Sequence, residues 1–198
     1  MLVIGIAGRK RHGKDTLADF MIEQCAKSGF TTAKRHFADP LKSEVIRIVA
    51  EYTGDNFEEL MQRAYTEEGK EEFRLGWQWW GTDIWRLRDP ERWIKFMRAQ
   101  LEADEATGVK VVFISDMRFP NEADLVKELG GCVIRIQRPG LDDGDGHASE
   151  HALDDYQGWN AEINNNADLA KLQRLAAGWG MTMIWRYSDP EQREKYGL

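Results

Sequence analysis

The stretch Leu2–Thr16, LVIGIAGRKRHGKDT, limits the fold more than any other part of the chain. It opens as an apolar run, passes through a loop bounded by Gly8 and Gly13, and reaches Lys14 where a helical pattern begins. Strand, glycine-bearing turn and helix in that order form a P-loop. A backbone that turns its N–H groups inward around a polyphosphate must be free of Cβ clashes, which Gly8 and Gly13 allow. The amides of Lys10 and His12 belong to the same cradle, and Lys14 adds a compact positive charge at the helix N-terminus. The loop therefore points to a nucleoside triphosphate with Mg²⁺. One departure stands out: Asp15 occupies the place where a hydroxyl normally ligates the metal, and Thr16 follows one residue later. Asp15 must reach the metal through water or pair with a neighbouring cation.

The pattern downstream alternates strands and helices. Asp15–Ser28 carries Leu17, Phe20, Met21 and Cys25 at helical spacing, and Gly29 is placed to end that helix. Thr31–Phe37 reads as a second strand and runs into Phe37-Ala38-Asp39-Pro40-Leu41-Lys42, with Pro40 suited to the first turn of a helix. Asp39 and Lys42 then lie beyond the carboxyl end of a strand, where ligands collect in an open parallel sheet. Val109–Ser115 is a near-continuous apolar run, as a central parallel strand requires. It closes in Asp116-Met117-Arg118, where Asp116 is the candidate second metal group and Arg118 a cation facing the same cleft. A helix over Asn121–Leu129 and a strand over Cys132–Gln137 follow. The glycine- and acid-rich segment at about 138–152 reads as a lid, with Arg138 at its rim. Glu162–Asn164 is a short fifth strand, Ala167–Ala177 the last core helix, and Met181–Tyr187 an added strand before a solvated tail.

Between the second and third strands, residues from about 43 to 106 read as a helical, substrate-binding insertion broken by Gly54, Gly69, Gly76, Gly81 and Pro90. At about 100° per residue, Trp77, Trp80, Ile84 and Leu87 share one arc, which reads as core. Gln78, Thr82, Trp85, Arg86 and Asp89 share another, combining an amide, a hydroxyl, an indole and a guanidinium suited to a base and a phosphate. Arg74, about one turn earlier, adds a second planar cation.

With 198 residues the chain suits a single domain carrying that insertion. A net charge of −7 argues against duplex nucleic acid as a partner. Cys25 and Cys132 lack metal-site spacing, no run reaches the length of a membrane span, and no signal-peptide pattern opens the chain. A cytoplasmic protein without a membrane partner is expected, and a homodimer is one assembly open to it.

Taken together, GRKRHGKDT, FADPLK, WWGTD with Arg86 and Trp93, SDMRFPNEAD, the RPG segment leading to SEHAL, and INNNADLAKL resemble the deoxynucleoside monophosphate kinases of bacteriophages, within the P-loop kinase group. The resemblance runs from Leu2 to about Leu175. It implies an α/β P-loop kinase fold, a doubly wound parallel five-stranded sheet in the order 2-3-1-4-5, with ATP as donor, Mg²⁺ as cofactor and a deoxynucleoside 5′-monophosphate as acceptor. If phage-encoded, the protein would work in the host cytoplasm. It also makes Asp15 a feature of the family pattern. On this reading Lys14, Arg118 and Arg138 are catalytic. Gly8, Lys10, His12, Gly13, Lys14, Asp15 and Thr16 bind ATP, with Asp15, Thr16 and Asp116 serving the metal. Asp39, Lys42, Arg74, Gln78, Thr82, Trp85, Arg86, Asp116 and Arg118 serve the acceptor. Two alternatives use the same scaffold: a kinase of another phosphorylated small molecule, such as phosphomevalonate or dephospho-coenzyme A, and a non-catalytic nucleotide-gated binding protein.

Overall fold

The computed structural model describes residues 1–141 and 147–188. They form two compact units: Met1–His36 with the described residues from Ala99 onward, and the inserted Phe37–Arg98.

The first unit is built on five parallel strands, β1 (Leu2–Ala7), β2 (Thr32–Arg35), β3 (Val111–Met117), β4 (Cys132–Gln137) and β5 (Ala161–Asn164), in the spatial order β2-β3-β1-β4-β5. Every residue of β1 is buried, which explains why its sequence is an unbroken apolar run rather than an alternation. Because the strands are parallel and in register (Ala7 beside both Met117 and Arg135), the residues that follow β1, β3 and β4 emerge along one edge. One face of the sheet is covered by α1 (Lys14–Lys27) and α8 (Leu169–Ser188), which pack on each other. Leu17, Met21 and Cys25 of α1 and Leu172, Ala176 and Met183 of α8 join Ile4, Ile6, Phe113, Ile134 and Ile136 in one core. Truncating one of those leucines to alanine would cost about 2–5 kcal/mol. On the N-terminal side of β4, α6 (Pro120–Glu128) begins at a proline and buries Ala123, Leu125 and Val126.

Two strand expectations change. The second strand is shorter than Thr31–Phe37, because the chain turns helical from Ala38. Met181–Tyr187 is not an added strand: α8 continues through Ser188. The aromatic and β-branched content there favours a strand locally. The buried series Leu172, Ala176, Gly180 and Met183 repeats at helical spacing, however, and tertiary packing carries the helix onward. The remaining tail from 189 and the lid interior at 142–146 lie outside the described residues.

The inserted unit holds α2 (Ala38–Thr53), α3 (Phe57–Ala64), α4 (Glu67–Gln78), a π-helical segment (Trp79–Arg86) and the start of α5 (Arg92–Ala106). Asn56 and Thr66 cap α3 and α4 by accepting from the amides of Glu59 and Gly69, both at 3.1 Å. Its small core gathers Ile46, Leu60, Ala64 and Phe73, with Trp77 packed against them. The arc assigned to core holds only in part, since Leu87 is 81% exposed. A π turn has i→i+5 bonding and more residues per turn than an α turn, so each residue rotates through less than 100° and the projected face drifts. Gly81 is the buried point of this segment, lying against Leu41 while its carbonyl accepts the Trp93 indole N–H at 3.2 Å.

Candidate active site

The loop after β1 is fitted closely to the sheet edge. A Cβ at Gly8 would lie 2.4 Å from the Ile136 carbonyl oxygen, so the backbone there passes too near β4 for a side chain. Gly13 precedes α1 at φ +98°, a left-handed conformation that favours glycine. The loop's inner carbonyls are also engaged: Asn165 Nδ2 donates to His12 O at 3.0 Å, and Lys14 Nζ donates to Arg9 O at 2.8 Å. Lys14 is 8% exposed. Burial first, and the charge of Arg118 second, bring its pKa down to about 7, against the pull of Glu150, Asp15 and Asp116. The ammonium thus lacks a strong enough anionic partner, which is the electrostatic condition of a cradle made for a phosphate.

Asp15 points elsewhere. Its Oδ1 accepts from Ser115 Oγ at 2.7 Å, lies 3.3 Å from Lys34 Nζ and 3.5 Å from His36 Nε2. Partial desolvation opposes ionisation, but the bonds from His36 and Ser115 and the charge of Lys34 hold the carboxyl well below the usual carboxylate range. Of the two routes open to Asp15 from sequence, this geometry is that of cation pairing.

The end of β3 supplies the next layer. Ser115 is fully buried and Asp116 half-buried. Arg118 is fixed at both ends. Its backbone N–H and that of Phe119 donate to Glu122 Oε2 at 2.6 and 3.2 Å, while its guanidinium pairs with Glu150. The Glu150 side chain, 3% exposed, belongs to the short helix α7 (Ala148–His151) and also accepts the Lys10 backbone N–H at 3.2 Å. Arg9 reaches the same segment, donating to Asp154 Oδ2 at 2.7 Å.

Two clefts border the loop. One, of about 400 Å³, is lined by Gly13, Lys14, Thr16, Asn165 and Leu172. The other, of about 360 Å³, is lined by Gly8, His12, Arg118, Glu150 and Trp159. The exposed Arg138 borders both. Of the residues proposed from sequence, Gly8, Lys10, His12, Gly13, Lys14, Asp15, Thr16, Asp116, Arg118 and Arg138 thus belong to this unit.

Asp39, Lys42, Arg74, Gln78, Thr82, Trp85 and Arg86 belong to the inserted unit. There Lys42 Nζ lies 5.0 Å above the Tyr65 ring and 5.6 Å above that of Trp77, with Asp39 Oδ1 at 3.9 Å accepting from the Tyr65 hydroxyl. Trp85 has the Arg92 guanidinium 3.9 Å from its ring centroid and Trp80 edge-on at 6.0 Å. Glu44 ties that cluster together, accepting from Arg92 at 2.5 Å and from the Trp80 indole at 3.0 Å. Gln78, Thr82, Arg86 and Arg74 are half-buried.

The sequence reading passed over Glu150, Glu122, Ser115 and Asn165. SEHAL carried Glu150 as a motif, but nothing local in it revealed a partner 32 residues earlier in the chain.

The loop fits a polyphosphate on three counts: the close approach at Gly8, the left-handed Gly13 and the buried, undercompensated Lys14. Among the described residues no group of three or more His, Cys, Asp or Glu side chains stands ready to hold a metal. No helix among the described residues is long and apolar enough to cross a membrane.

A family model described as phosphomevalonate kinase matches residues 6–131. A curated protein of Acanthamoeba polyphaga mimivirus, named "Putative deoxynucleotide monophosphate kinase", is 29% identical over 193 residues, covering 84% of this chain and 89% of that one. Among solved structures, an unliganded sugar kinase from Janibacter sp. HTCC2649 aligns over 93% of this chain and 94% of its own, at 15% identity and a TM-score of 0.48. Shikimate kinase from Aquifex aeolicus vf5 aligns over 92% and 99%, at 11% identity and a TM-score of 0.39. With the 2-3-1-4-5 sheet, the loop and the extent of the model match, the chain belongs to the phosphomevalonate kinase family and is a phosphotransferase on a P-loop kinase scaffold.

Proposed function

We propose that this protein transfers the γ-phosphoryl group of ATP, with Mg²⁺, to a deoxynucleoside 5′-monophosphate, giving ADP and the deoxynucleoside diphosphate. The observation that carries the donor half is the buried Lys14 beside Arg118, with its pKa near 7. An acceptor phosphate is already anionic near neutrality, with a second pKa of about 6, so no residue has to generate the nucleophile. Its oxygen attacks the γ-phosphorus while the bond from that phosphorus to the bridging oxygen breaks and ADP leaves in line. The protein supplies position and positive charge. Lys14, Arg118 and Arg138 neutralise the transferring group, and the loop amides from Gly8 to Lys14 hold the β- and γ-oxygens. Thr16 and Asp116 would hold Mg²⁺, which would supply further positive charge against the charge that builds up on the transferring group. Asp15, paired with Lys34 and His36, would act at one remove from the metal.

On the acceptor side, the mimivirus relative's name supports a nucleotide. The inserted unit's aromatic and amide groups suit a base: Gln78, Thr82 and Trp85, with Arg74, Arg86 and Lys42 for the phosphate and Asp39 beside Lys42. The family description favours a second reading in which phosphomevalonate is the acceptor. Both acceptors are phosphate esters and both products are diphosphates, so the donor chemistry is common to them. A screen with labelled ATP against deoxynucleoside and ribonucleoside monophosphates, phosphomevalonate and other phosphorylated metabolites separates them. Transfer to deoxynucleoside monophosphates is expected; transfer only to a non-nucleotide overturns the proposal.

A further inference from the structure

The cations at the mouth of the loop already face an anion that belongs to the chain. Glu150 is almost fully buried, and a buried carboxylate is tolerable only when paired and hydrogen-bonded. Its partners are the Lys10 amide and the Arg118 guanidinium, and its charge acts on Lys14. A loop amide, a guanidinium and an ammonium are the donor types that would receive a phosphoryl group here. Two anions cannot share such donors at close range without strong repulsion. The segment bearing Glu150 has a second, independent tether: Arg9 holds Asp154 at 2.7 Å and lies 3.2 Å from His151.

We propose that Glu150 is a place-holding, positioning residue. In the nucleotide-free protein its carboxylate occupies the seat of a phosphoryl group, keeping Arg118 and the Lys10 amide oriented, and bound polyphosphate displaces it. The α7 segment then stays attached through Arg9 and Asp154 while its buried anchor is released. The inference rests on the reading of the loop as a polyphosphate site.

Metal-free tripolyphosphate titrated by calorimetry at pH 8 into wild type and Glu150→Gln tests it. Glutamine keeps an oxygen acceptor for the Lys10 amide and removes the competing charge, so about tenfold tighter binding is expected. Equal or weaker binding by the variant overturns the proposal. Hydrogen exchange on the wild type gives a readout that does not depend on the variant folding: the amides of Ala148–His151 should exchange faster once tripolyphosphate is bound, and unchanged or slower exchange overturns the displacement. A wild type that binds no tripolyphosphate at all overturns the reading of the loop itself.

Discussion

The loop region and the inserted unit solve opposite problems. Around the loop, groups that water would ordinarily solvate are buried and matched: Lys14 to a carbonyl, Glu122 to two amides, Ser115 to Asp15, Asn165 to His12. In the inserted unit, large apolar side chains face solvent instead. Tyr52 is 92% exposed, Leu75 77% and Trp79 57%, over a core of only a few buried residues. The cost of ordering the loop is met by the folding of the sheet beneath it, whereas the helical unit is held by its own small core, its helix caps and the cluster around Glu44. On the proposed function, the difference would leave donor binding to the fixed polar groups around the loop and selectivity for the acceptor to the inserted unit.

The largest test of this contrast is Lys14→Met, expected to lower kcat by about 10³-fold or more, as loss of a transition-state cation in a dry site does. Steady-state transfer assays check it, with circular dichroism confirming the fold. Arg86→Ala should instead raise KM for the acceptor by about tenfold and leave ATP affinity nearly unchanged, since a single charged hydrogen bond is worth about 1.5 kcal/mol. Loss of ATP binding in that variant would erase the division of labour.

Stability sharpens the same comparison. Phe113→Ala should cost about 3–5 kcal/mol in denaturant unfolding, because its ring is fully buried in the sheet core. Leu75→Gln and Leu87→Gln should each change stability by no more than about 0.5 kcal/mol.

The remaining test is one of pH. Lys14 titrates at about 7 in the fold and near 10.5 when unfolded, so between those values the unfolded chain binds more protons. Its contribution therefore makes the nucleotide-free protein more stable as pH rises from about 7 towards 10.5. Below pH 7 the group is charged in both states and its destabilising effect is complete. Lys14→Met should flatten this part of the stability profile, measured by urea midpoints across pH 7–10.

What could be read from sequence follows the same divide. The five strands and the loop glycines were legible because each depends on a contiguous pattern: an apolar run, a turn, a helix start. The sheet order came instead from the resemblance to a known kinase family. The face predicted at Trp77–Asp89 failed at Leu87 because a constant rotation per residue was assumed through a segment that widens into π turns. The strand expected at Met181–Tyr187 failed because local propensity lost to a helix already packed against α1. Glu150 could not be found from its neighbours in sequence, since its role comes from Arg118 and the loop amide of Lys10, far away along the chain.

The two cysteines offer a practical handle. Cys25 is fully buried with its pKa pushed up by desolvation to about 11, and Cys132 is 1% exposed with Sγ 3.1 Å from the Met183 thioether. Both sulfurs are shut away from solvent, so the native chain is close to silent towards maleimides. A cysteine introduced at Tyr52, on the exposed side of α2, would take a fluorophore almost alone. Its emission would then follow the helical unit through a catalytic cycle, with no need to remove the natural thiols first.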